Sequence, residues 1–257
     1  GEESDPTALL ARLEAFPDDM PRRPRTCGID VQKDRLEVLV CEWGPGEECW
    51  ITDHLIVEGD TAGPEPWAEL AEELEAIAPD AAGLDTGYNT DQAMAFAARR
   101  PWVWACKGIE GIGKTLTEDD ETRRRRLRKR RKKGHSPHLI GDVAAKALLI
   151  QRLKLEQPGP GYLHFPREPW ADDEFFAQLT SNRLEEERHR GRLVVRWVQT
   201  RVRNEAYDCW KLSLAALRLS KIDPAKFIAR QQEIAAGAPA PQLVGPRRIG
   251  RIGRIGR

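Results

Sequence analysis

Three aspartates occupy positions where a carboxylate is poorly placed unless it has something to bind. They are Asp30 in Cys27-Gly-Ile-Asp30, Asp85 in Gly83-Leu-Asp85, and Asp208 in Ala206-Tyr-Asp-Cys-Trp210. Each is set among apolar neighbours, and a charge buried alone is costly enough to be neutralised, paired or bound to a cation. Carboxylates gathered from distant parts of a chain repel one another, and hard divalent cations relieve that repulsion. Magnesium and manganese suit oxygen ligands, whereas zinc would call for cysteine or histidine. Two such ions about 3.5–4 Å apart activate a water and stabilise a leaving oxygen, the requirements of phosphodiester hydrolysis. The competing readings are local: a solvated strand residue at Asp30, an Asx turn at Asp85, and an ion pair with Lys211 or an arginine at Asp208. Asp142, after His138-Leu-Ile-Gly141, is either a helix N-cap or an auxiliary ligand. Glu205, on the helical face of Asp208, is either a capping acid or an outer ligand.

The elements around these acids must bring them together. Cys27, Ile29 and Val31 alternate with Gly28, Asp30 and Gln32, the period of a strand. Turns at Lys33-Asp-Arg35 and Gly44-Pro-Gly46 separate two further strands, over 36–43 and 49–57, so three antiparallel strands come first. Trp67, Leu70, Ala71, Leu74 and Ile77 have helical spacing. A short strand ending at Asp85, a helix over 91–100, a strand over 102–106 and another at 138–140 follow. A helix from Asp142, a strand at 162–165, a helix near 172–179, a hairpin turning at Gly191 and a long helix over 204–220 complete the body. Hairpins followed by alternating strands and helices predict an α/β fold with a mixed central sheet flanked by helices. That order is the ribonuclease-H-like one, in which the first strand, the strand after the first helix and a late helix converge on one sheet edge. The expected division is a linker or domain end over 1–24, one domain over 25–222, and a C-terminal extension over 223–257 whose basic tail is disordered.

Lysine plus arginine equals aspartate plus glutamate, 41 each, so partners must be read from how charge is distributed. Residues 123–133 hold ten basic side chains in eleven. So dense a block repels itself unless an anion is near, which points to a polyanion. The candidate contacts with a DNA backbone are Arg123, Arg124, Arg125, Arg126, Arg128, Lys129, Arg130 and Arg131, joined by Lys107 and Lys114. Gly108-Ile-Glu-Gly-Ile-Gly-Lys114-Thr115 also satisfies the phosphate-loop spacing. A genuine phosphate loop opens directly into a helix, and the polar 116–122 that follows is a poor helix to pack on a sheet. A glycine-rich loop that lets Lys107 or Lys114 approach a DNA phosphate is the favoured reading. The five cysteines lack metal-ligand spacing and read as buried thiols. The histidines and the eight tryptophans read as ordinary surface or core residues, His164 being the histidine best placed to reach a phosphate. No run approaches the length of a membrane span.

Gly28-Ile-Asp-Val-Gln-Lys-Asp-Arg-Leu-Glu-Val38, Leu84-Asp-Thr-Gly87, Val103-Trp-Ala-Cys-Lys-Gly108, Pro158-Gly-Pro-Gly-Tyr-Leu-His-Phe-Pro166, Gln178-Leu-Thr-Ser181 and Arg203-Asn-Glu-Ala-Tyr-Asp-Cys209 together resemble the nuclease domain of the large terminase subunit of tailed bacteriophages, in its lambda-like branch. The resemblance covers about residues 25–220. It implies a ribonuclease-H-like endonuclease cutting double-stranded viral DNA during genome packaging, with Asp30, Asp85 and Asp208 as the acids that hold two Mg²⁺ or Mn²⁺ ions. It further implies an ATPase motor domain in the full-length chain, a portal and a small terminase subunit as partners, and the cytoplasm of the infected host as the place of action. The arginine run and the phosphate-loop-like string depart from the expected family pattern. A nucleotide-binding ATPase using Gly108–Thr115 and a non-catalytic basic DNA-binding module are the alternatives.

Overall fold

The computed structural model describes residues 6–17, 20–111, 113–128, 136–189 and 192–237. Its centre is the strand β2 (Arg25–Val31), with β3 (Arg35–Trp43) and β4 (Cys49–Glu58) following antiparallel on one side. On the other side β5 (Ala81–Asp85), β6 (Val103–Ile109) and β7 (His138–Gly141) run parallel to β2. The order β4-β3-β2-β5-β6 is the ribonuclease-H-like arrangement expected from the sequence. Two short strands extend the sheet beyond β4: β8 (Leu163–Pro166), and β1 (Leu13–Glu14), which runs parallel to it. Leu9, in the turn of helix α1 (Pro6–Leu10), is buried in the core beside them.

Alternation along β2 and β3 gives the sheet two apolar faces. Cys27, Ile29, Val31, Val38 and Val40 pack beneath α2 (Glu65–Ile77) and α3 (Thr90–Ala98), against Trp67, Leu70, Leu74 and Phe96. The opposite face, with Leu39, Cys41, Trp43 and Ile51, lies under α5 (Asp142–Leu153), α6 (Asp173–Leu179) and α7 (Glu205–Ser220). Helix α7 is apolar nearly all round and correspondingly buried. All five cysteines are free and buried, as expected. The hairpin of β9 (Asn182–His189) and β10 (Arg192–Gln199) forms a separate two-stranded sheet, and α8 (Pro224–Ala235) follows α7.

The basic run contributes an element that the sequence reading lacks, the helix α4 (Asp120–Arg128). None of its residues is buried, so it forms without the apolar face whose absence argued against a helix here. Local bonds hold it instead. Asp119 accepts from the Thr122 amide at 2.8 Å, and Glu118 takes both arms of Arg126 at 2.7 Å. The last part of the run and the Arg-Ile-Gly tail fall outside the described residues.

Helix α7 lies directly on backbone. A β-carbon at Gly28 would sit 1.7 Å from the carbonyl oxygen of Cys209, and one at Gly83 would sit 2.3 Å from that of Leu212. Thr26 and Ser213, hydroxyl to hydroxyl at 2.7 Å, pin the same strand and helix together. Gly28→Ala and Gly83→Ala are therefore expected to destabilise the protein by at least the roughly 1–3 kcal/mol typical of overpacking. Urea unfolding midpoints measure this, and unchanged midpoints would contradict the close approach of helix and strand.

Candidate active site

Glycine beneath α7 decides where the acids meet. In the parallel pairing of β2 with β5, Gly28 stands beside Gly83 and Ile29 beside Leu84, so Asp30 and Asp85 are the next residues out on neighbouring strands. Such strands lie about 4.8 Å apart. Both acids share the face of their glycine two residues back, the face that carries α7. Cys209 rests over Gly28, which sets Asp208, one residue earlier, above Asp30. The three sequence-predicted acids thus converge at the carboxyl ends of β2 and β5.

Their charge is poorly compensated. Asp30 is 5 % exposed, and its Oδ2 accepts from Gln32 at 2.5 Å. Burial, with Asp208 and Asp85 nearby, pushes its pKa up to about 8 despite that hydrogen bond and Lys211. Asp85 is also raised, by burial first and by Asp208, although the Gly87 amide donates to it at 2.9 Å. That amide contact is the Asx turn considered from sequence. Among the described residues no three aspartate, glutamate, histidine or cysteine side chains stand close enough to form a ready-made ion cage. The acids are near enough to feel one another and are not drawn onto a common point.

A lysine explains part of that arrangement. Lys211, one turn after Asp208 on α7, donates from Nζ to Asp208 and, at 3.1 Å, to Asp142. The ion pair weighed for Asp208 is therefore present. Asn204 donates to the other oxygen of Asp208 at 2.7 Å. Burial works against the Lys211 charge, but Asp208 and Asp142 outweigh it and raise its pKa.

The two auxiliary candidates are committed elsewhere. Asp142 is the first residue of α5 and makes no cap, since the N-cap position belongs to Gly141. Besides Lys211, it pairs with Lys146 at 2.7 Å and accepts from the Tyr207 hydroxyl at 3.1 Å. Burial opposes its charge, yet the two lysines hold its pKa below the ordinary aspartate range. Glu205 pairs with Arg35 and, at 3.4 Å, with Arg203, instead of capping α7 or facing the acids as a free ligand. Both arginines also reach Glu37, at 2.7 Å each. Glu37 is the cross-strand neighbour of Asp30 and is fully buried. The sequence reading missed it, although a glutamate inside the apolar strand Leu36-Glu-Val-Leu-Val40 was a visible signal.

The phosphate-loop spacing does not produce a phosphate loop. Strand β6 ends at Ile109, Lys114 and Thr115 lie in a loop, and the next helix begins at Asp120. The loop instead crosses the end of β7, where the Gly141 amide donates to Leu116 at 3.0 Å beside Asp142. Lys107 and Lys114 are exposed near this edge. In α4, Arg124, Arg125 and Arg128 are exposed. Arg123 and Arg126 are half-buried and donate to the Ser136 and Pro137 carbonyls or to the Ser136 hydroxyl, so they hold the helix down. Lys129, Arg130 and Arg131 lie outside the described residues. His164 is fixed between Glu14 at 2.5 Å and Glu48 at 3.0 Å and is stacked on Trp50, far from the role of a phosphate contact. His138 packs edge-on to Trp104, and burial with Arg123 nearby lowers its pKa to about 4, as for a neutral core histidine.

Comparison with known proteins decides the family. The model described as "Terminase large subunit gpA, endonuclease domain" matches residues 1–228. The chain belongs to that family. It is 31 % identical over 258 residues to the terminase large subunit of Escherichia phage lambda, covering 91 % of this chain and 39 % of the relative. It is 27 % identical over 243 residues to that of Enterobacteria phage P21, covering 86 % and 36 % respectively. The chain thus spans under two fifths of these relatives. A solved mutant nuclease domain of the large terminase subunit of bacterial virus Sf6, with manganese, shares 12 % identity at a TM-score of 0.47, covering 82 % of this chain and 97 % of that one. The nuclease class expected from the sequence is that of the family.

The raised Asp30 pKa has a consequence for stability. Because the folded state holds this proton more tightly than the unfolded chain, Asp30 favours folding in acid, and that contribution is lost as pH climbs from the ordinary aspartate range through about 8. In chelator, Asp30→Asn should therefore gain thermal stability over the parent progressively between pH 5 and pH 8.5. A difference in melting temperature that stays constant across that range would contradict the buried, uncompensated charge.

Proposed function

We propose that this domain cuts double-stranded viral DNA during genome packaging by divalent-metal-dependent phosphodiester hydrolysis, with Asp30, Asp85 and Asp208 as the acids that hold two Mg²⁺ or Mn²⁺ ions. The convergence of three carboxylates where α7 meets β2 and β5, two of them without an ion-pair partner among the described residues, carries this reading. Its donor set is all oxygen, the preference of hard divalent ions. When bound, such ions supply a water of lowered pKa and charge relief on the leaving oxygen. Asp30, the most buried of the three, would hold the ions together with Asp85 and Asp208. Gln32 and Asn204 orient the carboxylates of Asp30 and Asp208, and the Gly87 amide orients Asp85. The Glu37–Arg35–Glu205–Arg203 network fixes the first turn of α7 against β3, and with it the height of Asp208.

Lys107, Lys114 and the exposed arginines of α4 are assigned to the DNA backbone, where contacts position the duplex without reading sequence. The full-length chain would add an ATPase motor domain, and a portal and a small subunit would be its partners in the cytoplasm of the infected host. The apposition of Asp30, Asp85 and Asp208 favours cleavage over a purely clamping module, and the loop that separates Thr115 from α4 at Asp120 removes the support for a nucleotide-binding reading.

Supercoiled plasmid with Mg²⁺ or Mn²⁺ should be nicked, chelator should abolish the nicking, and Asp30→Asn should reduce it by more than about a hundredfold, beyond the loss typical of residues that merely support a ligand. Nicking that persists in Asp30→Asn, or DNA retention without any cutting, would overturn the assignment. On DNA binding, replacing Arg124, Arg125 and Arg128 together by alanine should weaken affinity and flatten its salt dependence. The log–log slope should fall by about 0.9 for each phosphate that the variant no longer neutralises. An unchanged slope would remove α4 from the interface.

A further inference from the structure

Lys211 is unusual in what it occupies. Its side chain is 9 % exposed, it lies three residues after Asp208 on α7, and its ammonium is shared between Asp208 and Asp142. It also sits 5.1 Å from the Tyr207 ring centroid and 3.9 Å from where a β-carbon of Gly108 would be. A cation is thus already buried at the acid cluster. It is bonded to one of the three catalytic candidates, while among the described residues Asp30 and Asp85 have no ion-pair partner.

Charge accounting gives this arrangement a meaning. Asp142 is already matched by Lys146 at 2.7 Å. Once Asp30 gives up its proton to an arriving cation, Asp30, Asp85 and Asp208 opposed by one ammonium carry a net charge of about −2, which a single divalent ion neutralises. With the ammonium withdrawn and one phosphodiester added, the same three acids reach about −4, the charge of two divalent ions. Geometry supplies the route for withdrawal. Because Nζ already bonds Asp142, a small rotation of a flexible four-carbon stem moves it wholly onto Asp142 and releases Asp208.

We propose that Lys211 is an internal cation that holds the Asp208 position in the DNA-free enzyme, so that one divalent ion binds readily and the second binds only as the ammonium shifts to Asp142. The inference rests on the metal-dependent reading above. It makes Asp142 the resting place of the displaced ammonium, a role distinct from ligand or helix cap. It also gives a packaging nuclease a means of staying idle until a phosphate completes its site.

Binding of Mn²⁺ to the DNA-free chain, followed by electron paramagnetic resonance and calorimetry, tests this. The parent should bind one ion tightly, and Lys211→Met should bind a second at least about tenfold more tightly than the parent does, a difference of about 1.4 kcal/mol. Asp142→Asn should do the reverse and weaken the second ion, because the ammonium then has only Asp208 to hold. Should Lys211→Met fail to fold, which circular dichroism will show, the Asp142→Asn result decides alone. Equal stoichiometry and affinity in parent and variants, with binding still lost in Asp30→Asn, would overturn the role of Lys211 and leave the metal site standing. Mn²⁺ binding that is indifferent to Asp30→Asn would overturn the metal reading itself, and this inference with it.

Discussion

Helix α7 touches the sheet without side chains between them at two points, Gly28 on β2 and Gly83 on β5. Everything at the site depends on that contact. A helix resting on ordinary side chains lies about 10 Å from its neighbour, too far for the Asp208 carboxylate to share an environment with Asp30. Removing two β-carbons lowers the helix onto the strands and sets an acid from the last long helix over acids from two strands. The apolar burial around α7 supplies the force that holds three like charges in proximity, with Trp210, Leu214 and Leu217 sealing one side.

The price of this proximity is visible in the carboxylates themselves. Asp30 holds its proton far above the usual range, Asp85 is displaced the same way, and Lys211 is drawn in from the following turn. Glu37 and Glu205 add two further buried acids within the same few residues, and Arg35 and Arg203 answer them. The region therefore divides into a matched half, where arginine and glutamate fasten α7 to β3, and an unmatched half, where the aspartates stand. Only the unmatched half is suited to binding an external cation.

Much of this was legible in the residues. The period-two pattern of β2 and β3, the spacing of α2 and the order of elements gave the ribonuclease-H-like sheet, and the position of Asp30 and Asp85 at strand ends followed from it. What escaped was set by distant partners. Glu205 looked like a cap because Arg35, 170 residues away, cannot be associated with it from spacing. Asp142 looked like a cap or ligand because Lys211, 69 residues away on α7, cannot be associated with it from spacing. Helix α4 was missed because its stability comes from Glu118 reaching Arg126 rather than from an apolar stripe. Strand β8 was read at 162–165, whereas β1 pairs through only two residues at the sheet edge, too few to leave a pattern.

The central claim is that Asp30, Asp85 and Asp208 grip the same pair of hard cations. Anomalous scattering from crystals of the protein soaked in Mn²⁺ together with a short uncleavable DNA locates those ions directly. Two peaks within ligand distance of these three carboxylates is the expected result. Peaks placed elsewhere, or carboxylates that remain apart with no ion between them, would contradict the account.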